Sequence, residues 1–446
     1  MIAFWISAAL ATAAPAADHA ELRDIAAAVS KEALHDSLAH LVGFGTRHTL
    51  SDTTSETRGI GAARRWAAGR FQVLSAACGG CIRIETPQQS FTNARVPQPS
   101  LVQDVIAIQK GDGDPDRVVI IAAHIDSRVT DIMNATSDAP GANDDGSGVA
   151  AVLEAARVLS KHHFRATLVY AVLSGEEQGL LGGKVLADFA RAQGWRVEAD
   201  LNNDIIGNSE GQGGERVRDL VRVFSEGVRA TETAVEAEKR RLNGGELDSP
   251  SRNLSRYMAD LADQYLAPFS VKMIYRADRF GRGGDQLPMQ AAGFPAVRVT
   301  EAAENYRRQH QDLRVENGVD FGDRLEGVDL AYLANVTRLD LITLAALAKA
   351  PAPPTGVQVS GAVSADTHLS WTPVPDATGY VVRKRDTTAP RWGEAYPAVA
   401  RDHLDLPHTV IDDWAFGVQS VSPDGYESPV VFPGPAGDFS PPKPGD

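Results

Sequence analysis

The sequence predicts an α/β protein: a three-layer α/β/α sandwich with a mostly parallel mixed central sheet, followed by a small C-terminal all-β sandwich. Short apolar runs, many of them β-branched, alternate with helical patterns over most of the chain, and this alternation is typical of a parallel sheet. A proline-rich stretch at 350–355 then marks a change to strand-period patterns separated by turns. The length of 446 residues suits one large and one small domain.

The composition is that of an ordinary globular protein, with 43% hydrophobic and 23% charged residues. A net charge of −14 argues against nucleic acid as a partner. Beyond the N-terminus we expect no apolar run long enough to span a bilayer, and we expect the mature chain to be a monomer.

Residues 1–17 have the pattern of a secretory signal peptide. An apolar stretch over residues 1–10 precedes small residues, with a cleavage zone around Ala14–Ala17. No Lys or Arg precedes the apolar stretch, so a short hydrophobic N-terminal helix is the alternative. We expect export, either to the periplasm or out of the cell. In an oxidising compartment Cys78 and Cys81, the two cysteines of the chain, are expected to form a local disulfide rather than a redox or zinc site.

The large domain is predicted over residues 18–349. Helical spacing of apolar residues predicts helices within 22–76, interrupted at 43–48. Further helices are predicted at 149–159, 180–192, 217–228 and 254–266. Strands are predicted at 105–108, 118–123, 167–173, 201–206, 271–274 and 296–299. The acidic stretch at 112–116 lacks the glycine and glutamate that a calcium loop needs, and we interpret it as a hairpin turn.

Beyond the proline-rich linker, residues 356–436 predict a small β-sandwich, and residues 437–446 predict a disordered tail. The placing of Trp371, Tyr380 and the strand that begins at Phe416 resembles a fibronectin type III domain. We interpret this domain as a spacer or stabilising appendage rather than a module that binds substrate, matrix or cell wall, because it shows no aromatic stripe or basic patch.

Two polar residues close one of the most apolar strands of the chain. His124 and Asp126 follow the run 118–123, where burying them is costly unless a partner compensates the lost hydration. Alone, His124 could be a core histidine. The two side chains point to the same side of a strand, so Asp126 could accept a hydrogen bond from a metal-bound imidazole.

Other candidates follow in order, each with an ordinary alternative. Asp144 and Asp145 lie in a glycine-rich stretch that could simply cap a helix. Glu176 and Glu177 follow the strand at 167–173 and could be a solvated helix start. Asp204 could be a turn residue. One histidine of the α/β domain comes after His163; it is His310, which by itself could lie on the surface.

Together these residues form a more specific pattern than any one of them. Two imidazoles and three carboxylates are a ligand set suited to zinc. Five ligands are too many for one open catalytic zinc, and they fit two metals that share a carboxylate. Neither Ser147 nor Ser174 lies in a Gly-x-Ser-x-Gly motif, which disfavours a serine nucleophile.

The order His-x-Asp, Asn-Asp-Asp-Gly-Ser-Gly, Glu-Glu, Asn-Asp-Ile-Ile-Gly and a late His resembles the M28 family of zinc peptidases, especially the bacterial leucyl-type aminopeptidases. The resemblance covers most of residues 22–350. It implies that Asp144 bridges two zinc ions, with His124 and Asp204 on one and Glu177 and His310 on the other. It also implies that Glu176 is the general base.

The resemblance also concerns residues around this set. It implies that Asp126 is the partner of His124, and that Asp144 precedes Asp145 through a peptide bond that is often cis in the family. Gln286 stands where the family usually has a histidine, and we expect Asp285, Gln286 and Tyr306 to line the substrate pocket.

The expected function is therefore that of an exported zinc aminopeptidase acting on peptides or proteins with a free N-terminus. A carboxypeptidase or a glutaminyl cyclase on the same scaffold, or a non-catalytic binding protein, are the alternatives. A carboxypeptidase would need a cationic clamp for the terminal carboxylate. Its candidates are Arg279, Arg282, Arg298, Arg307 and Arg308. A cyclase usually works with one zinc.

Overall fold

The computed structural model describes residues 17–398 and 402–440. Apart from Ala17, the predicted signal peptide lies outside these residues, as does the end of the predicted tail. Within them the α-helices are α1 (Ala20–Ala27), α2 (Lys31–Gly43), α3 (Gly59–Ala77), α4 (Gly146–Leu159), α5 (Leu181–Ala192), α6 (Ala234–Asn243), α7 (Pro250–Tyr265), α8 (Gln286–Ala291) and α9 (Leu330–Lys349).

The strands of the large domain are β1 (Ile82–Glu85), β2 (Gln88–Asn93), β3 (Val96–Gln103), β4 (Val105–Gln109), β5 (Asp114–His124), β6 (Ala166–Leu173), β7 (Arg196–Asn203), β8 (Leu220–Phe224), β9 (Ser270–Ile274), β10 (Ala296–Glu301), β11 (Arg314–Glu316) and β12 (Val319–Phe321). Those of the small domain are β13 (Thr355–Ser360), β14 (Thr367–Thr372), β15 (Gly379–Asp386), β16 (Glu394–Ala398), β17 (His403–Leu406) and β18 (Trp414–Val421).

Eight strands form the central sheet in the order β1-β4-β6-β5-β7-β10-β8-β9. The four inner strands β6, β5, β7 and β10 run parallel, while antiparallel pairings join β4 to β6 and β8 to β10. Helices α1–α4, α7 and α9 pack on one face, and α5 and α8 on the other. The predicted α/β class with a mostly parallel mixed sheet is confirmed.

The helix predicted at 217–228 is wrong, because the segment contains strand β8 between β9 and β10. Val221 and Val223 are fully buried while Arg222 between them is not. This period of two is that of a strand, and the neighbouring strands satisfy its backbone groups. The strand predicted at 201–206 ends earlier than expected, at Asn203.

The hairpin predicted at 112–116 is also wrong. The turn does connect β4 to β5, but β6 lies between them and pairs with both. The backbone N–H groups of Gly113 and Asp114 donate to the carbonyl of Arg165, which directly precedes β6. A strand from later in the chain therefore fills the gap that a hairpin would close.

Helix α9 is long and apolar enough to cross a membrane, judged by length and composition, contrary to the expectation from the sequence. In the fold 78% of its apolar stretch is buried, and it packs against α1, α4 and α7. Its apolar surface is therefore accounted for by the core of the large domain.

The small domain consists of two three-stranded sheets, β13-β14-β17 and β16-β15-β18. Their shared core contains Trp371, Tyr380, Phe416 and Val418, so the predicted small all-β unit is confirmed. In the large domain a disulfide joins Cys78 and Cys81 as predicted; it lies just after α3.

Candidate metal centre

The predicted ligands converge at one edge of the central sheet, where the parallel strands end. His124 is the last residue of β5, Glu177 lies in the turn after β6, and Asp204 directly follows β7. Asp144 precedes α4, and His310 comes from the loop after β10. Carboxyl ends of parallel strands are where sites form in open α/β sheets, because the loops that follow them meet there.

Asp144 lies at the centre of this convergence, and each of its oxygens faces a different group. Oδ1 is 3.3 Å from His124 Nε2, which is itself 4.0 Å from Asp204 Oδ1. Oδ2 is 2.9 Å from His310 Nε2, which is also 2.9 Å from Glu177 Oε1. Two ligand groups, each able to hold one ion, thus share a single carboxylate.

The donor atoms fit a pair of metal ions on their own chemistry. Glu177 Oε1 is buried and accepts no hydrogen bond from the residues that the structure describes, although His310 Nε2 lies 2.9 Å away. Such an orphaned oxygen is costly in a protein interior unless a cation compensates it. One imidazole and two carboxylates in each group, with Asp144 counted in both, match the preferences of zinc.

Protons compete with metal ions for the imidazoles of His310 and His124. Burial lowers the pKa of His310, but Glu177 and Asp144 outweigh it and raise that pKa to about 10. His124 follows the same logic: burial opposes its charged form, yet Asp126 and Asp144 raise its pKa well above the usual value. Metal binding must therefore displace protons from both imidazoles, since a ligating imidazole is neutral.

Glu176 lies beside the two ligand groups without belonging to either. Among the described residues its carboxyl makes no hydrogen bond or ion pair, and it is partly open to solvent. Burial raises its pKa well above the ordinary value, and the carboxylates of Asp204, Glu177 and Asp285 add to that rise. A carboxyl group that is unpaired, accessible to solvent and raised in pKa is suited to proton transfer.

Asp126 serves the site differently from what the sequence suggested. The nearest partner of His124 Nδ1 is the backbone carbonyl of Asp126, at 3.0 Å, whereas the carboxylate Oδ1 is 3.6 Å away. That carboxylate instead accepts from the N–H groups of Gly175, Glu176 and Glu177, at 2.8 to 3.3 Å. Asp126 thus shapes the turn that carries Glu176 and Glu177.

Asp145 follows Asp144 through a cis peptide bond. Its carboxylate caps α4 by accepting from Gly148 N–H, and it also accepts from the N–H groups of His124 and Ile205. One side chain therefore links the ends of β5 and β7 to the start of α4. Burial raises the pKa of Asp145 well above the ordinary value.

Two of the three substrate-pocket candidates are buried inside the fold, and the third is exposed. Gln286 is wholly buried, between Asn202 Nδ2 at 3.1 Å and Asp278 Oδ2 at 2.6 Å. Asp285 is 1% exposed and accepts from Gly183 N–H. The pocket assignment is therefore wrong for both side chains, which are supporting groups within the fold. Tyr306 is 56% exposed on the loop that leads to His310.

Two arginines next to the ligands were not predicted in this role. Arg298 is fully buried and forms an ion pair with Asp204. Arg128 pairs with Glu177 Oε2 at 2.7 Å and reaches His310 Nδ1 at 2.5 Å. A charge inside the apolar run at 296–299 was a usable signal for Arg298, because an arginine there needs a buried partner. Nothing in the sequence distinguishes Arg128.

Arg47 and Asp323 were also missed. Arg47 donates to the carbonyls of Pro140 and Gly141, just before the ligand Asp144. Asp323 accepts from the N–H groups of Asn143 and Asp144 at 2.7 to 3.0 Å. They come from loops far apart in the chain, so no local pattern links them to the site.

Comparison with known proteins agrees with this geometry. Residues 104–317 match the model of peptidase family M28. A "probable zinc metalloprotease" of the fungus Leptosphaeria maculans is 42% identical over 422 residues, covering 93% of this chain and 97% of the relative. Another, from Pyricularia oryzae, is 43% identical and covers 89% of this chain and 80% of the relative.

Solved structures share the fold at low sequence identity. LapB of Legionella pneumophila aligns with a TM-score of 0.53 at 18% identity, covering 74% of this chain and 75% of that one. The LapA aminopeptidase of the same organism aligns with a TM-score of 0.52 at 19% identity, covering 75% and 76%.

Proposed function

The chain belongs to peptidase family M28 and is a zinc metalloprotease, and on this premise we propose that it is an exported aminopeptidase. It would remove residues from the free N-terminus of peptides or proteins, with two zinc ions held by the two ligand groups. The observation that carries the proposal is the position of Asp144, whose two oxygens each face a separate ligand group.

The roles of the residues follow from their positions. When bound, the metal ions would supply a water of lowered pKa and polarise the scissile carbonyl. Glu176, unpaired and beside both groups, would accept the proton of the attacking water and return it to the leaving amine. Asp126 would keep Glu176 in place through the backbone N–H groups of its turn.

The charges around the site favour a substrate amine over a substrate carboxylate. The arginines considered for a carboxylate clamp are largely occupied: Arg298 and Arg279 approach Asp204, and Arg282 pairs with Glu304. Among the residues that the structure describes, Glu176 is the unpaired carboxyl beside the ligand groups, and it is partly open to solvent. Such a carboxyl can form a hydrogen bond with a substrate amine, and the name of the LapA aminopeptidase is consistent with that choice.

The remaining proposals concern the chain as a whole. The disulfide between Cys78 and Cys81 supports export, because such bonds persist in oxidising compartments. We propose the periplasm or the exterior as the location, a monomeric state, and a fibronectin type III-like sandwich over residues 356–436.

The test compares Glu176→Gln with the native chain on leucine anilides with a free or an acetylated N-terminus. We expect cleavage of the free substrate alone, and a fall in kcat by about 10³-fold in the variant, because general-base catalysis is worth that order. Metal analysis should find both ions retained in the variant, since Glu176 belongs to neither ligand group.

Three outcomes would contradict the proposal. Cleavage of the acetylated substrate would exclude an aminopeptidase. Release of C-terminal residues or cyclisation of N-terminal glutamine would indicate a carboxypeptidase or a cyclase. Undiminished turnover by Glu176→Gln would remove Glu176 as the base. Glu210→Gln, which changes an acidic residue outside the metal centre, serves as the matched control.

A further inference from the structure

The two domains are joined by a buried cluster of charges. Arg385, the penultimate residue of β15, donates to both carboxylate oxygens of Asp248 at 2.8 Å, and Arg256 of α7 donates to the same carboxylate at 2.8 Å. All three residues are at most 4% exposed. A flexibly tethered spacer has no need of ionic groups removed from water, since each must be compensated across the junction.

Arg385 also shapes the loop that follows it. Its Nη1 donates to the carbonyls of Asp386, Thr387 and Ala389, at 3.1 to 3.3 Å. We call residues 386–392 the junction loop. The Arg385 guanidinium thus orders the junction loop and helps to attach it to the large domain, together with Arg391 of the same loop, which pairs with Asp260 and Asp263 of α7.

The junction loop in turn contacts helix α7 and the residue that follows β9. The carbonyl of Pro390 accepts from Arg256 Nε at 2.8 Å and from the hydroxyl of Tyr275 at 3.3 Å. Trp392 Nε1 donates to Asn253 Oδ1 at 3.0 Å. The Tyr275 ring also packs against Arg252, whose guanidinium carbon is 3.6 Å from the ring centroid. Tyr275 therefore has a partner in each domain.

Tyr275 is the residue from which the chain turns toward the metal centre. It directly follows β9, the outermost strand of the sheet, and the next residues, 276–286, form what we call the return segment. Within it Asp278 lies 3.7 Å from Arg298, and Arg279 lies 3.9 Å from the ligand Asp204. At its end Gln286 accepts from Asn202. The return segment thus approaches Asp204 through Arg279, and through Asp278 it approaches Arg298, the arginine that pairs with Asp204.

We propose that the C-terminal β domain positions the metal centre, by holding Tyr275 at the root of the return segment through the junction loop. Arg385 and Tyr275 are positioning residues: neither reaches the ligands, and each acts through the segment that contacts Asp204 and Arg298. The proposal deepens the function proposed above, because it concerns the same site, and it replaces the interpretation of the domain as a spacer.

The test uses two variants of the full chain, each with a matched control. Arg385→Gln removes the buried ion pair with Asp248 across the junction, and Arg383→Gln removes an ion pair with Glu427 inside the β domain, two residues away on the same strand. Tyr275→Phe removes the hydroxyl contact to Pro390. Tyr257→Phe removes a similar hydroxyl contact across the junction, to the carbonyl of Glu427, away from the return segment.

The first measurement is hydrogen exchange followed by mass spectrometry, which needs neither substrate nor metal. We expect exchange in residues 276–286 to be about tenfold faster in Arg385→Gln and Tyr275→Phe than in their controls, because local opening of the segment becomes easier. If Arg385→Gln does not fold, the comparison of Tyr275→Phe with Tyr257→Phe tests the proposal by itself. Equal exchange in the return segment of the variants and their controls would overturn the proposal.

The second measurement concerns the metal centre itself. The absorption spectrum of the cobalt-loaded protein should change in the two positioning variants and not in the controls. KM for a leucine anilide should rise by about fivefold with a smaller change in kcat, as expected for misplaced rather than missing groups. A chain without aminopeptidase activity would refute the proposed function alone, since hydrogen exchange would still decide whether the β domain holds the segment.

Discussion

Arg47 illustrates how much of a metal site depends on residues that never touch a metal. Its guanidinium is fully buried and donates four hydrogen bonds to backbone carbonyls, those of Leu41, Ile125, Pro140 and Gly141. Burial lowers its pKa to about 10, against the pull of Asp323 and other nearby carboxylates. The arginine therefore remains charged at neutral pH and ties α2 to the loop before Asp144.

We predict that Arg47→Leu lowers the free energy of unfolding by about 3–5 kcal/mol, because it leaves buried carbonyls without donors. The control is Arg65→Leu, since Arg65 also donates to two backbone carbonyls but its side chain is 45% exposed. That variant should lose less than about 1 kcal/mol. Urea unfolding measures both, and equal losses would show that burial of Arg47 adds nothing.

The sequence predicts ligands better than it predicts the residues that support them. His124 and Asp204 could be proposed because polar groups at the ends of apolar runs need a partner that compensates their lost hydration, and Asp144 because its glycine-rich motif resembles that of the family. Arg128 and Asp323 could not, because their surroundings in the sequence are those of ordinary surface loops. Gln286 was misplaced for a related reason: its position in a motif says nothing about which way the side chain points.

At the scale of elements, the strands buried on both faces were the easiest to predict. Residues 118–123 of β5 and the whole of β6 are continuous runs of β-branched and other apolar residues, and both strands lie inside the sheet. Strand β8 was mistaken for a helix because a polar residue interrupts its short apolar run. Over five residues such a pattern fits the period of a helix as well as that of a strand. Only its pairing with β9 and β10 decides the matter.

The connection between β8 and α6 contains a carboxyl group whose titration should be visible in the stability of the protein. Burial raises the pKa of Glu226 to about 7, although Ala230 N–H and nearby arginines oppose the rise. In the unfolded chain the pKa would be about 4.3. The folded state therefore holds the proton more tightly, and its contribution to stability is complete below about pH 4.3 and lost as pH rises through 7.

We predict that Glu226→Gln flattens the pH dependence of unfolding between pH 4.5 and 7 and makes the protein more stable at pH 8. The gain should be about 1–2 kcal/mol, less than the full shift implies because Glu226 is partly exposed. Glu56→Gln, at a side chain 84% exposed, is the control for loss of one charge. Parallel pH curves for the native chain and Glu226→Gln would contradict the prediction.

At the scale of the whole molecule, the metal centre should also be a source of stability. Removing the ions leaves Asp144, Asp204, Glu176 and Glu177 close together, compensated by Arg298, Arg128 and the protonated imidazoles. We predict that a chelator lowers Tm by roughly 5 °C and that added zinc restores it, because an ion bound only by the folded state stabilises it.

Calorimetry of the native chain and two variants checks this prediction. Glu176→Gln should retain the full response to the chelator, since that side chain is outside both ligand groups. Asp144→Asn should lose most of the response, because the shared carboxylate serves both groups. If neither the chelator nor zinc changed the Tm of the native chain, the assignment of the ligands would be contradicted.

The association of the two domains could not be predicted from the sequence. The proline-rich stretch indicated a boundary and suggested a spacer, but Arg385 and Asp248 are far apart in the chain, and each alone resembles an ordinary charged residue. Their pairing becomes visible only once both domains are folded and placed together.

The ligands are spread from residue 124 to residue 310, and this spacing bears on the biosynthesis of the enzyme. A polypeptide still emerging from the ribosome without His310 offers one complete ligand group at most, so a half-made chain has no assembled centre with which to cut its neighbours. Both ligand groups can be complete only after the loop that follows β10, the last strand of the central sheet in chain order, has been made.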